Sequence, residues 1–429
     1  MTERVDLLII GSGAAGTSAA FAARRADPGL SVLIIGKEDR TEYSAPALPD
    51  YLSGELELDK VMVRTKEDYD REGVRLHLND PVVRIDPKKR VVKTESGKSF
   101  RYENLILATG SLPIQLRRMK GTDLPGNFVM KTVEDIDAMI AYGGKNAVVV
   151  GSGAIGLEGS MALKARGYKK VTMVEALDWL SPKSLDKAMS DELTANLNAF
   201  GIEVLAGEAV EGVIGETKVE AVVTSRRTIP CDIILWGIGM RPDVELAKNT
   251  GIELGELGAV RVDDRMRTNV PHIYACGDCI ESVDKLSGKR AVHLFWEPAQ
   301  RGGTVAGLNC AGLDKAWGGS VAVFLTHKGG LSIVGFGKTE AELDPLKGFV
   351  LEERKGKVYR RLHFEDGLLC GVQMINTLDD VDLLFDVITK NALERDRKCR
   401  LVKQLEHLDE MTVTDVIYWL RKERRAVIL

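Results

Sequence analysis

Val5-Asp6-Leu7-Leu8-Ile9-Ile10-Gly11-Ser12-Gly13-Ala14-Ala15-Gly16 is the stretch from which the fold can be read. An apolar run too short to cross a membrane stops at glycine and continues in small, helix-favouring residues, the pattern of a buried strand, a tight turn and a helix. Gly11 permits the turn, Gly13 lets the backbone approach a diphosphate, and Gly16 lets the helix pack close to the strand. An anion can then rest on the unpaired amides of the helix start. One such loop is a weak signal. Ala147-Val148-Val149-Val150-Gly151-Ser152-Gly153-Ala154-Ile155-Gly156 repeats it a domain's length later, and two together imply two nucleotide sites.

Each unit runs on into a second strand with an acid at or just past its end. In the first, Val32–Ile35 is followed by Gly36-Lys37-Glu38; in the second, Val171–Val174 is followed directly by Glu175. A carboxylate placed there accepts from both ribose hydroxyls of an adenosine and repels a 2′-phosphate. With no arginine beside Glu175, the second site reads as one for NADH rather than NADPH.

The 429 residues suit several domains, and a net charge of −4 asks for neither nucleic acid nor an anionic membrane. No apolar stretch is long enough to span a bilayer and none resembles a signal peptide, so a cytoplasmic location is expected. The six cysteines are Cys231, Cys276, Cys279, Cys310, Cys370 and Cys399. Their spacing is neither a disulfide framework nor a zinc or iron–sulfur pattern, and no metal is expected. In Cys276-Gly277-Asp278-Cys279 the plainer reading is two small residues flanking a functional Gly-Asp.

Between the two loops, Tyr43-Ser44-Ala45-Pro46-Ala47-Leu48-Pro49-Asp50 is broken by prolines and is expected to line something. Thr65 and Asp68 have the spacing of a helix cap, as do Thr132 and Asp135. Val82–Ile85 and Val91–Lys93 flank Asp86-Pro87-Lys88-Lys89 as a hairpin. Asn104–Ala108 is a buried strand ending at Thr109-Gly110, and a domain crossing is expected between Pro113 and Gly126. Helices are expected from about Ile155 to Gly167, Ser190 to Phe200 and Pro298 to Asn309. Cys231–Trp236 leads into the turn Gly237-Ile238-Gly239-Met240-Arg241-Pro242, and Ile273-Tyr274-Ala275-Cys276-Gly277-Asp278 is again a strand stopping at glycine. Strands that stop this way mark the ligand edge of a doubly wound sheet. From Trp317 the pattern turns to alternating strands, then helices. The last starts near Thr412 with Asp415 as capping partner and ends in Arg421, Lys422, Arg424 and Arg425, either a solvated helix end or a docking surface.

Together these motifs resemble the pyridine nucleotide-disulfide oxidoreductases, flavoproteins that bind two dinucleotides. The resemblance covers roughly residues 3 to 390. It implies an α/β fold with two Rossmann-like domains, an FAD domain split by an inserted NADH domain, plus a C-terminal α+β domain. The implied boundaries are 1–115 and 250–316 for FAD, 116–249 for NADH, 317–390 for the C-terminal interface domain and 391–429 for a helical extension. For FAD it implies Gly11, Gly13, Ala14, Ala15, Gly16, Glu38, Val82, Ala108, Thr109, Gly110, Gly277 and Asp278, the last holding the ribityl chain. For NADH it implies Gly151, Gly153, Ile155, Gly156, Glu175 and Gly239. Asp50, Glu158 and Trp296 are the candidate catalytic residues, with Glu158 bordering the nicotinamide and Trp296 the isoalloxazine.

Within the family, branches that store electrons on a cysteine carry it near the first motif. Here no cysteine precedes Cys231, and the corresponding position looks to be Pro46. Ile35–Glu38, Tyr43–Pro46 and Trp296-Glu297-Pro298-Ala299-Gln300 instead resemble the ferredoxin reductase, rubredoxin reductase and nitrite reductase flavin-subunit branch. Two residues depart from it: Ala45 replaces a common arginine, and Asp50 stands where ferredoxin reductases often hold a lysine near flavin N5. Asp50 and Glu158 are expected to face one another, one of them with a raised pKa through like-charge repulsion. The resemblance implies hydride transfer from NADH to FAD and then electron release to a ferredoxin- or rubredoxin-like carrier. An NADH oxidase or small-molecule reductase acting on oxygen, quinone or a CoA disulfide is the first alternative; a redox-responsive assembly protein is the second. A homodimer through the C-terminal domain is also expected.

Overall fold

The protein is described here by a computed structural model covering residues 2–116, 118–393 and 411–428, with side chains as far as 390 and 422 in its last two helices. The first apolar run becomes the central strand Glu3–Ile10. It pairs in parallel with Val32–Ile35 on one side and Ser99–Leu107 on the other. Val74–His77 extends one edge, and the hairpin Val82–Asp86 with Val91–Thr94 extends the other. Ile273–Ala275 returns from late in the chain to pair in parallel with Ser99–Leu107. A second parallel sheet holds Ile202–Ala206, Lys170–Glu175, Asn146–Val150, Ile233–Trp236 and Asn127–Phe128 in that order. The two crossings are knitted together where Ser111–Pro113 pairs antiparallel with Met240–Pro242.

The continuous burial of Leu7–Ile10, Val32–Ile35, Ala147–Val150 and Ile233–Trp236 matches their apolar sequence, as parallel sheets covered on both faces require. On the first sheet the cover comes from the helix Ala14–Ala26, against which the helix Trp296–Cys310 lies backbone to backbone. A Cβ at Gly303 would stand 2.1 Å from the Ala15 carbonyl oxygen, and one at Gly307 would stand 2.0 Å from that of Ala19. Both caps read from the sequence form: Thr65 with Asp68, and Thr132 with Asp135. Two helices begin earlier than their sequence suggests, at Lys187 rather than Ser190 and at Trp296 rather than Pro298.

The C-terminal antiparallel sheet runs in the order Val323–Lys328, Leu331–Gly337, Leu368–Ile375, Val358–Glu365, Gly348–Lys355. Strand alternation splits its apolar residues between two faces. Phe324, Leu331, Ile333, Tyr359 and Ile375 pack on the second unit, among Leu48, Met161, Leu185 and Met189. Val334, Phe336, Leu362 and Met374 face the helices Val381–Leu393 and Val413–Ile428. A polar latch fixes the first of these contacts. His363 Nε2 lies 2.7 Å from Asp186 Oδ2, Arg361 lies 3.4 Å from the same oxygen, and the Asp186 amide donates to Gln373 Oε1.

The close approach of the two glycine-lined helices yields a direct test. Gly307→Ala is expected to cost about 3 kcal/mol, because the added methyl must displace backbone rather than a side-chain tip. Gly318→Ala, whose Cβ would meet only Lys285 Cε at 3.8 Å, should stay within about 0.5 kcal/mol. Thermal unfolding of the two variants, compared with the parent, checks both expectations.

Candidate dinucleotide and hydride-transfer site

Both glycine loops end in helices whose first turns are electrostatically bare. The helices Ala14–Ala26 and Ala154–Ala165 start from Gly13 and Gly153, with no side-chain cap and no acid in the first turn. The positive helix end and its orphan amides are therefore left for an external anion. A Cβ at Gly13 or Gly153 would meet nothing within 4 Å, so these amides open outward. Gly11, at φ 115°, turns the chain where a Cβ would strike the Ala108 carbonyl oxygen at 2.1 Å, and a Cβ at Gly16 would lie 1.9 Å from the Gly11 oxygen. The donor set and the space fit a dinucleotide diphosphate at each loop.

Of the other residues expected around the first loop, Ala108, Thr109, Gly110, Gly277 and Asp278 gather beside it. The Cys276 amide donates to the Leu107 oxygen, which brings Gly277 and Asp278 beside Ala108-Thr109-Gly110. A Cβ at Gly277 would lie 2.8 Å from that of Ala15 and 3.8 Å from that of Ala299, in the first turn of the helix that half-buried Trp296 begins. Ser111 Oγ donates to Asp278 Oδ2 at 2.7 Å, and Lys131 Nζ donates to Ser111 Oγ at 3.1 Å. Thr109 Oγ1 donates to the Asp243 oxygen and the Asp243 amide to the Gly110 oxygen, tying this edge to the chain's return from the second sheet. Glu38 Oε2 accepts from Tyr43 Oη at 2.9 Å; burial raises the carboxyl's pKa, and that hydrogen bond opposes the rise. Val82 is buried at the start of its hairpin strand.

At the second loop, Glu175 Oε2 accepts from the Ser152 amide at 3.0 Å and from Ser152 Oγ, while Oε1 accepts from the Leu177 amide. The acid is thus fastened to the glycine loop. Ile155 packs against the second core, and Gly239, at φ 113°, turns beside Ile114, whose amide donates to its oxygen.

Asp50 and Glu158 do come together, through an intermediary that the sequence did not reveal. The proline-broken segment forms a single 3₁₀ turn at Ala45–Ala47 and then the helix Leu48–Ser53, which carries Asp50. Thr326 Oγ1 donates to Glu158 Oε1 at 3.2 Å, and Lys328 Nζ donates to Asp50 Oδ1, Ser53 Oγ and Glu55 Oε2. Burial first of all, with repulsion from Asp50 adding to it, raises Glu158 to about 7 against the bond from Thr326 and the charge of Lys328. Like-charge repulsion, the expected cause, is the lesser one. Ser111, Lys131, Thr326 and Lys328 were all missed. The signal for the last two was parity: Phe324, Thr326 and Lys328 share one face of their strand, and that face turns polar at its end.

Among the described cysteines, burial pushes Cys279 up to about 11 and Cys231 up to about 12, and raises Cys276 and Cys310 further. Cys279 Sγ donates to the Leu107 and Cys276 carbonyl oxygens. Thiols so placed are poor nucleophiles, and Cys276 and Cys279 act as buried packing on either side of Gly277-Asp278. Cys399 lies outside the described residues.

A family model for pyridine nucleotide-disulphide oxidoreductases matches residues 5–300. The chain belongs to this family. A relative named NADH oxidase, from Methanocaldococcus jannaschii, is 33% identical over 378 residues, spanning 86% of this chain and 84% of its own. The rubredoxin-NAD(+) reductase of Ectopseudomonas oleovorans is 32% identical over 280 residues, 64% of this chain and 71% of its own. The solved structure of a NAD-dependent persulfide reductase from A. fulgidus superposes with a TM-score of 0.84 at 26% identity, covering 91% of this chain and 77% of that one. Membership makes the protein an FAD- and NAD(H)-dependent oxidoreductase with Rossmann-like domains. Among the described residues no helix is long and apolar enough to cross a membrane.

Glu158 makes stability depend on pH. Its folded-state value of about 7 exceeds the ordinary 4.5, so its contribution is fully present below the ordinary value and is lost as pH rises through about 7. Buried Glu42, also raised to about 7 by burial against the charge of Arg64, shares that window. Glu158→Gln should therefore gain roughly 2 kcal/mol over the parent at pH 8 and little at pH 5. The double variant with Glu42→Gln should flatten the profile further, as read from unfolding midpoints across the range.

Proposed function

We propose that the protein oxidises NADH and hands the electrons one at a time to a small iron–sulfur carrier of the ferredoxin or rubredoxin kind. FAD, when bound, supplies the conversion from a two-electron donor to one-electron steps. The chain's own residues place and isolate the reacting groups. In this reading, residues 1–115 and 250–316 form the FAD unit, and the bare helix start at Gly13 to Ala15 holds its diphosphate. Glu38 takes the adenosine ribose, Val82 and Ala108–Gly110 line the cofactor, Gly277 and Asp278 hold its ribityl chain, and Trp296 lies beside its ring. Lys131, already against Asp278, adds a cation to the same cleft. Residues 116–249 form the NADH unit, with Gly151, Gly153, Ile155 and Gly156 on the diphosphate, Glu175 on the ribose and Gly239 at the nicotinamide end. Glu158 borders the nicotinamide, where a carboxylate favours the positive ring that forms as the hydride leaves.

The observation that carries the reading is that, among the described residues, no ionisable thiol is seen at the site. The resemblance puts Pro46 where cysteine-using branches keep their sulfur; of the described cysteines, Cys231, Cys276, Cys279 and Cys310 are buried with raised pKa values and Cys370 is half-buried in the C-terminal sheet. With no thiolate to store an electron pair, transfer straight to an outside acceptor is the economical route. The Ectopseudomonas relative's name supports a carrier. Names such as NADH oxidase and persulfide reductase support the alternative of a small acceptor. Electrostatic steering by the basic C-terminal turn draws no support from Arg421, which is paired with Asp380 at 2.7 Å; the side chains of Arg424 and Arg425 lie outside the described residues. A homodimer through the C-terminal sheet remains part of the proposal, for sizing in solution to test.

Mixing the NADH-reduced protein anaerobically with a panel of ferredoxins, rubredoxins, quinones and CoA disulfide tests the proposal. An iron–sulfur carrier should reoxidise it at least about tenfold faster than oxygen or the disulfide does, and alkylation of accessible thiols should leave that rate unchanged. Faster turnover with oxygen or the disulfide, or loss of carrier reduction after alkylation, would overturn it.

A further inference from the structure

Three segments far apart in sequence meet at the end of one strand, two of them at a single ammonium group. Lys328, the last residue of the strand Val323–Lys328, is only 4% exposed. Its three donors go to Asp50 Oδ1, to Ser53 Oγ at 3.0 Å and to Glu55 Oε2 at 2.7 Å, all on the helix Leu48–Ser53 or just beyond it. A buried ammonium is tolerated only when it is so fully paired, and here every proton has an acceptor. Two residues back on the same face, Thr326 reaches Glu158. One strand of the C-terminal sheet thus touches both candidate acids, one from each nucleotide unit.

The charge count is lopsided. Among the described residues, Lys328 pairs with Asp50 and Glu55 and is the cation whose charge acts on Glu158. His327 lies on the strand's opposite face, bonded to Ser332 Oγ at 2.6 Å. Arg166, at the far end of the Glu158 helix, donates to the Leu52 carbonyl oxygen rather than to a carboxylate. Lys328 is therefore the cation that faces Asp50 and Glu158, and it enters from the domain least expected to supply it. Where related ferredoxin reductases often hold a lysine, this chain has Asp50, and the positive charge arrives from across the domain boundary.

We propose that Lys328 is the positioning residue of the hydride-transfer site. It clamps the Asp50 helix against the C-terminal sheet and biases Glu158 toward its ionised form beside the nicotinamide. The inference rests on the reading that Glu158 borders that ring. Through it, the packing of the C-terminal sheet sets the charge that the nicotinamide meets.

The test follows the carboxyl itself. Infrared difference spectra recorded across pH, on the protein with and without FAD, report the titration of Glu158, its band identified by its loss in Glu158→Gln. Lys328→Met should move the midpoint up by about one pH unit, lowering the ionised fraction near neutrality several-fold; Lys328→Arg should restore it, and adding Asp50→Asn to Lys328→Met should bring it back toward the parent. The pH profile of anaerobic flavin reduction by NADH should move in step while NADH affinity changes less than about threefold. Should Lys328→Met fail to fold, Asp50→Asn alone must lower the midpoint. An unmoved midpoint in a folded Lys328→Met protein, or a shift that neither Lys328→Arg nor Asp50→Asn reverses, would overturn the proposal. A parent protein whose flavin NADH does not reduce would sink the functional reading instead, and the infrared titration would still judge Lys328.

Discussion

The amides at the starts of the helices Ala14–Ala26 and Ala154–Ala165 have no partners within their helices, no side-chain cap and no acid in the first turn. That exposure depends on glycine, since a methyl at Gly11 or Gly16 would collide with carbonyl oxygens. The same constraint reaches outward. Strand Ser99–Leu107 must present Ala108 to Gly11, and the late strand Ile273–Ala275 must return beside it to deliver Gly277 and Asp278. The helix Trp296–Cys310 must be glycine-lined to cover what remains. Two anion cradles on two parallel sheets, linked by the ribbon of Ser111–Pro113 with Met240–Pro242, form the frame on which the chemistry is arranged.

The C-terminal sheet belongs to that frame rather than merely covering it. One face joins the second unit's core, the Asp186–His363 latch fixes the contact, and the strand Val323–Lys328 then reaches the two acids. A site whose described thiols are buried and hard to ionise is proposed to control its reaction through charge and placement. In the proposed reading the cluster of Asp50, Glu55, Glu158 and the buried Thr326 and Lys328 supplies that control, with burial as the main force on Glu158.

What the sequence disclosed was governed by short-range rules. The glycine loops, the acids after the second strands, the hairpin around Asp86–Lys89 and the Thr65 and Thr132 caps each rest on a handful of adjacent residues, and they appear where expected. Helix starts were less legible where a side chain is used elsewhere. Asp186 occupies the cap position before Lys187, but its carboxylate serves His363 and the Glu340 amide, so the cap signal was hidden. Trp296 and Pro298 share a first turn because proline there forfeits no helical hydrogen bond. Lys131, Thr326 and Lys328 could not be found by spacing, since each gains its meaning from a contact across at least 20 residues of chain.

The account's central claim is that electrons leave the flavin with no sulfur between it and the acceptor. Anaerobic titration of the FAD-loaded protein with NADH tests this most directly, because a dithiol store would take up a second pair of electrons. The account predicts that the flavin's visible absorbance is fully lost at about one NADH per FAD, with no change in the count of titratable thiols. An end point near two NADH per FAD, accompanied by the appearance of two new thiols, would contradict it.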